Sequence, residues 1–184
     1  MLASVIPCGV DEHVFCPGDR EAARRALGVE PGAYPVLLFP ASPTRGVKDY
    51  PLFTETAERL RARFPRIRAM CLDGVAPEFV PDVLRSADCL VLTSYREGSP
   101  VVTKEALCCG TRVVSSDVGD VAAQVEGLDG CGIAATRDAI ALASAIGTAL
   151  SESPPSVEEA GRRFSVSAEA EAVAQVYESV VGVR

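Results

Sequence analysis

Two glutamates eight positions apart, Glu97 and Glu105, bracket the segment Glu-Gly-Ser-Pro-Val-Val-Thr-Lys-Glu. An ionised carboxylate only accepts hydrogen bonds, and one carboxylate can take both hydroxyls of a vicinal diol. Between the two acids, Gly98 lets backbone approach a ligand closely. Pro100 suits the first turn of a helix, where a missing N–H is no loss. A helix over about residues 100–109 aims its free N–H groups and the positive end of its dipole past Ser99, which makes a ready anion site. Glu105 then lies ~6 Å along the axis from that end, at ~1.5 Å per residue. An anion at the helix end and a ribose one sugar-length away would satisfy both features. A plain surface or capping charge at a helix start has the same spacing, and both readings of Glu105 stay open at this point.

A second candidate lies in "ASPTRGVKDY", residues 41–50, where Arg45 and Lys48 flank Gly46. Proline and glycine make this a tight segment poorly suited to a helix. Two cations there could grip a diphosphate; a solvated loop with two exposed charges is the alternative. The segment lacks the GxxxxGK[ST] spacing of a nucleoside-triphosphate loop.

These groups need a scaffold, and the hydrophobic pattern describes one. Short continuous apolar runs over 34–42, 67–73, 88–94 and 112–116 read as strands, the first buried on both faces. "GIAA" near 132–135 is a candidate fifth strand. Helical spacing appears in Phe53, Ala57, Leu60 and Phe64, in "VPDVLRSA", in "VVTKEALCCG" with Gly110 as its stop, and over 138–150. Strands alternating with helices predict an α/β chain with a Rossmann-like, doubly wound parallel sheet. In such sheets ligands bind at the carboxyl ends of the strands, which nominates the loops at 41–48, 94–100 and 116–120. Two closing helices within 156–184 follow a Pro-rich segment, and the stripe Val173, Val176, Tyr177, Val180 and Val181 predicts that the last one docks on something.

Composition narrows the function. The 184 residues are 48% apolar and 23% charged, ordinary for one globular domain or one half of a two-domain protein. A net charge of −7 argues against a nucleic-acid partner. Seven cysteines without a CxxC pair read as small buried hydrophobes in a reducing compartment, with Cys71 and Cys89 in buried strands. The one histidine, His13, sits in a polar loop; no metal site is expected. No run approaches the ~20 apolar residues of a membrane span, and the first residues do not read as a signal peptide. A cytoplasmic location follows as the expectation, with peripheral membrane association of a full enzyme left open.

The Glu97-to-Glu105 segment, with Ala106, Leu107, Gly110 and Thr111 after it, resembles the retaining glycosyltransferases of the GT-B fold, family 4 (glycosyl transferases group 1). "VIPCGVDEHVFCP" is similar to the opening of that family's C-terminal domain, "VPDVLRSADCLVLTS" to the helix and strand before the motif, "VVSSDVGDVAAQV" to the strand and turn after it, and "FSVSAEAEAVAQVYESV" to its closing helices. The resemblance covers nearly all of 1–184. It implies a donor-binding C-terminal domain for a UDP- or GDP-linked sugar, with no other cofactor. Glu105 would bond the ribose hydroxyls, and Glu97 would lie beside the donor sugar. Gly98, Ser99, Pro100, Val101 and Val102 would hold the sugar or diphosphate by backbone, and Lys48 would neutralise the diphosphate. Departures are "PASP" at 40–43 where the family has Gly-Arg, so that Arg45 is a shifted substitute; Cys8 in place of an asparagine; and Ala123 near the place of a glutamate. The acceptor (a glycan, lipid or small molecule) would be bound by an N-terminal domain absent from the chain, which alone would bind donor and transfer little sugar. The last helix would then keep part of its stripe exposed. A GT-B phosphorylase, a nucleotide-sugar epimerase and a non-catalytic nucleotide-binding module are the alternatives.

Overall fold

The computed structural model describes residues 5–181. Five short parallel strands form one sheet: β1 (Val36–Phe39), β2 (Arg68–Cys71), β3 (Cys89–Leu92), β4 (Arg112–Ser115) and β5 (Gly132–Ile133), in the order β2-β1-β3-β4-β5. The register places Val36 against Arg68, Leu37 against Cys89, Cys89 against Arg112 and Val114 against Gly132. β1, β3 and β4 are buried along their whole length, as continuous apolar runs in a two-sided parallel sheet should be.

Alternate side chains feed two cores. Val36, Leu38, Leu90, Leu92 and Val113 face one side, which packs against α3 (Val80–Ser86), α4 (Val101–Cys108), α5 (Val121–Val125) and α7 (Val157–Phe164). Leu37, Phe39, Cys89, Val91 and Val114 face the other, beneath α2 (Tyr50–Leu60) and α6 (Ala139–Ala149). The expected spacing Phe53, Ala57 and Leu60 is the buried face of α2. Cys71 is only half-buried, against expectation, because β2 is the edge of the sheet and one side of it meets solvent.

Three further elements depart from the sequence reading. A polar helix, α1 (Arg20–Ala26), precedes β1; it buries only Ala23 and so shows no apolar stripe. It is held by charge: Asp88, itself 3% exposed, receives Arg20 Nη1 at 3.2 Å and Arg24 Nη2 at 2.7 Å, and accepts the Val36 N–H at 2.7 Å. One 3₁₀ turn, Gly46–Lys48, forms in the segment judged unsuited to a helix; a three-residue turn needs far less helical propensity than an α-helix. The closing helix α8 (Val166–Val181) buries no residue. Its Tyr177, Val180 and Val181 are exposed, so the stripe predicted to dock has no counterpart within the described chain. The opening segment pairs with the closing helices instead, through Val10 N–H to the Phe164 carbonyl at 2.7 Å and Val166 N–H to the Val10 carbonyl at 3.0 Å.

Asp88 joins α1, the start of β1 and the start of β3 at the amino end of the sheet. Replacing it with alanine should strand two guanidinium groups and cost about 3 kcal/mol or more. Urea denaturation of Asp88→Ala against the parent chain measures that loss.

Candidate functional site

In the order β2-β1-β3-β4-β5 the chain moves from β1 to β2 on one side and then crosses back to β3 on the other, so the order reverses between β1 and β3. That switch point is where a doubly wound sheet opens a crevice at its carboxyl end. The loops after β1 and β3 close over it. Tyr95 N–H donates to the Val47 carbonyl at 2.9 Å, and the Thr93 hydroxyl donates to the carbonyls of Lys48 and Asp49 at 2.8 and 2.9 Å. The loop after β4 is drawn in as well: Asp120 N–H reaches the Gly98 carbonyl at 3.2 Å and the Ser116 hydroxyl reaches the Ser94 carbonyl at 3.3 Å. Gly119 makes this closeness possible. Its φ is +56°, and a Cβ there would stand 2.2 Å from the Gly98 carbonyl oxygen.

Within the crevice, Lys48 and Glu97 meet. Lys48 Nζ donates to Glu97 Oε1 at 2.6 Å, with only 13% and 12% of the two side chains exposed. The Ser94 hydroxyl donates to the same Oε1 at 2.6 Å. Glu97 is therefore fixed by one oxygen, while Oε2 takes no hydrogen bond from the described residues. An ammonium carries three N–H donors, so Lys48 keeps capacity for an anion while holding Glu97. Arg45 is exposed at the start of the 3₁₀ turn, and its guanidinium contacts no described carboxylate. The structure thus brings Lys48 to Glu97 and leaves Arg45 at the rim.

Gly98 and Ser99 are exposed, and Pro100 is the residue before α4, one position earlier than expected, with φ −67° and ψ 118°. Pro100 offers no side-chain acceptor, and α4 has no side-chain cap. Helices α1, α2, α6 and α7 are capped by Asp19, Asp49, Asp138 and Ser156, while the short α3 and α5, like α4, have no side-chain cap. The first N–H groups of α4, at Val101, Val102 and Thr103, precede the start of the i to i−4 ladder and remain without a cap. Glu105 follows one turn on, on the face of Val101 and Val102. It is half-buried, its carboxylate accepts nothing from the described residues, and burial raises its pKa above the usual carboxylate value.

The sequence profile of the family described as "Glycosyl transferases group 1" matches residues 54–152. The chain belongs to this family. A D-inositol 3-phosphate glycosyltransferase of Geodermatophilus obscurus is 32% identical, aligned over 68% of this chain and 35% of its own length; a protein of the same name in Segniliparus rotundus is 31% identical over 67% and 34%. The chain spans about a third of the length of these curated relatives. Among solved structures, Anabaena HepE in complex with UDP superposes with a TM-score of 0.72 at 20% identity, over 96% of this chain and 57% of that one. The C-terminal domain of a group 1 glycosyl transferase from Francisella tularensis superposes at 0.62 with 16% identity, over 92% and 98%. These likenesses show the fold: a Rossmann-like α/β domain of the kind found in GT-B glycosyltransferases.

One cation beside the crevice escaped the sequence reading. Arg137, in the loop after β5, donates to the Asp49 carboxylate, to the Thr93 carbonyl at 3.1 Å and to the Ser94 carbonyl at 3.3 Å. Its guanidinium also lies 3.6 Å from the centroid of the Tyr95 ring. It fastens the loops after β1 and β3 from the far side of the sheet. Only its place after the fifth strand's carboxyl end hinted at this. Asp49 in turn caps α2 from a left-handed conformation, φ +54°.

Because Lys48 and Glu97 share a largely buried contact, each is costly without the other. Lys48→Met and Glu97→Gln should each lower stability by about 1–3 kcal/mol. The double variant should lose less than the sum, since removing both leaves no orphaned charge. A denaturation cycle over the four proteins reads the coupling.

Proposed function

We propose that the chain is the donor-binding half of a retaining, family 4 glycosyltransferase that takes a UDP- or GDP-linked sugar. The observation that carries the reading is Glu105: a half-buried carboxylate without a partner among the described residues, one turn behind an uncapped helix end. Burying an unpaired acid costs stability, and a raised pKa in a crevice is a feature of functional groups. A ribose diol would satisfy Glu105, and the diphosphate would lie over the N–H groups of Val101, Val102 and Thr103. UDP in the HepE neighbour supports a nucleotide of this kind.

In this reading Lys48 bridges Glu97 and the diphosphate, and Arg45 reaches in from the rim. The free oxygen of Glu97 receives a hydroxyl of the donor sugar, with Gly98 and Ser99 closing against it. The anomeric carbon's bond to the diphosphate oxygen breaks, and the acceptor oxygen bonds to that carbon on the same face. The acceptor's proton passes to the departing diphosphate. Lys48 and the positive end of α4 stabilise the charge that develops on the leaving oxygen. The proposal assigns these groups to the donor only, and the purified chain is expected to bind donor and transfer little sugar; turnover by it would overturn that part. Seven unpaired cysteines suit a cytosolic enzyme. No helix among the described residues is long and apolar enough to cross a membrane.

Thermal-shift titration with UDP, GDP and ADP tests the reading directly, since a ligand of the folded state raises its melting temperature. Glu105→Gln should weaken the nucleotide that binds by about 1–3 kcal/mol. The unliganded chain should respond in the opposite sense. Because folding raises the pKa of Glu105, the folded state binds more protons than the unfolded one between the two pKa values. Stability therefore falls as pH rises through that window and stays lower above it. Glu105→Gln removes that fall, so at neutral pH the variant should be as stable as the parent or more so. Unchanged nucleotide affinity in a stable variant would remove the ribose role.

A further inference from the structure

The amino end of the sheet, opposite the crevice, concentrates charge that donor binding does not use. In a chain of net charge −7, five arginines (Arg59, Arg61, Arg63, Arg66 and Arg68) fall within ten residues. All five are exposed. They run from the last turn of α2 to the start of β2. Arg61, Arg66 and Arg68 converge on a cavity of about 380 Å³ that Glu30, Ala33 and Ala69 also line.

The lining holds Arg66 in place and leaves Arg61 and Arg68 free to turn to a ligand. The Arg66 guanidinium donates to the Pro31 carbonyl and lies flat on Gly32, where a Cβ would meet its nitrogens at 2.6 Å. Gly32 has φ +75°, a conformation that residues with a Cβ rarely adopt. Arg68 meets no described carboxylate. Arg61 pairs only with Glu58, at 2.8 Å, and both are about half exposed or more; such a pair contributes little and yields readily to a better anion. β2 is the sheet edge, and Arg68 N–H bonds inward to the Pro35 carbonyl. The N–H of the next residue, Ala69, therefore points to the open side. Glu30 is the one acid in the lining, which leaves it two positive charges in excess.

Guanidinium forks match paired phosphate oxygens. A membrane would meet cations spread over a flat face; here they converge on a concavity of ligand size. We propose that this cavity is a second anion site, taking the phosphate group of a soluble phosphate ester. It is separated from the crevice by the length of the sheet, and its occupancy does not depend on the donor reading.

Amide proton–nitrogen NMR spectra of the chain, titrated with inorganic phosphate and then with glucose 6-phosphate at low ionic strength, test this. Saturable shifts are expected at Ala33, Ile67 and Ala69. Arg66→Gln/Arg68→Gln should weaken them by about tenfold or more, with the spectrum of the crevice loops unchanged as proof of folding. Shifts confined to residues 98–102, or equal affinity in the double variant, would overturn the site. Co-sedimentation with phosphatidylglycerol vesicles through the same arginines, with Ala69 unmoved by either soluble probe, would overturn the soluble source. A second arm with Arg68→Lys keeps the charge but loses the fork, and should recover only part of the affinity.

Discussion

Everything at the carboxyl end of the sheet depends on the contact of Lys48 with Glu97. The strands are four residues long or shorter, so the crevice is walled by loops, and loops need fixing. This ion pair joins the loop after β1 to the loop after β3 across the point where strand order reverses. Taking two charges largely out of water is expensive, and the fold surrounds the pair with compensation. Ser94 donates to the shared oxygen, Thr93 ties down the backbone of Lys48 and Asp49, and Arg137 draws Asp49 toward the backbone of the β3 loop. Thr93 and Ser94 follow β3 and Arg137 follows β5, so the pair is supported from two connections of the fold. A pair positioned in this way presents a fixed carboxylate oxygen and two spare ammonium donors, which is more useful to a ligand than two mobile charges.

The legibility of the chain follows the range of the interactions involved. β1, β3 and β4 announce themselves because a strand buried on both faces must be apolar at every position. α4 announces its end because Gly110, with φ +77°, supplies the left-handed stop. Glu97, Gly98 and Glu105 lie within nine residues and are readable as a unit. Arg137 and Asp49 are 88 residues apart, and nothing local marks either as the other's partner. The pairing of Lys48 with Glu97 is hidden for the same reason: the sequence shows two groups suited to a ligand, not that they bind each other first. α1 was missed because charge, not a hydrophobic stripe, attaches it; Asp19 before it, accepting the Ala22 N–H at 3.0 Å, is the one local sign. Cys71 reads as core because its run is apolar, and only the sheet order makes β2 an edge.

The two ends of the sheet handle buried charge differently. At the amino end Asp88 is saturated: two guanidinium groups and a backbone N–H share its oxygens, as a purely structural carboxylate requires. At the carboxyl end Glu105 accepts nothing from the described residues, and burial raises its pKa. A fold selected for stability alone would pair Glu105 or replace it. Its retention in a half-buried place makes sense when the missing partner is a ligand, and the same logic explains why Glu97 keeps one oxygen open.

In the proposed donor-binding reading, an acidic chain has to attract a diphosphate. The global field repels it, and the Lys48–Glu97 pair is close to neutral. The attraction has to come from groups that add no net charge, and α4 supplies them. Four other helices close their amino ends with Asp or Ser side chains, which would compete with a phosphate for the same N–H groups. α4 has Pro100 at that place, a residue that sets the entry angle, lacks an acceptor of its own and leaves the helix end uncapped. The Thr103 hydroxyl turns back to the Pro100 carbonyl at 2.6 Å, so it does not cover the end either. The dipole of a short helix acts only within its first turn, and so the ligand must come close. Gly98 and Ser99 are the exposed residues beside that end, and Gly119 packs behind Gly98 to hold it there. In that reading, proline in place of a capping residue leaves the start of α4 open to an anion, without adding a charge that would loosen the ion pair next to it.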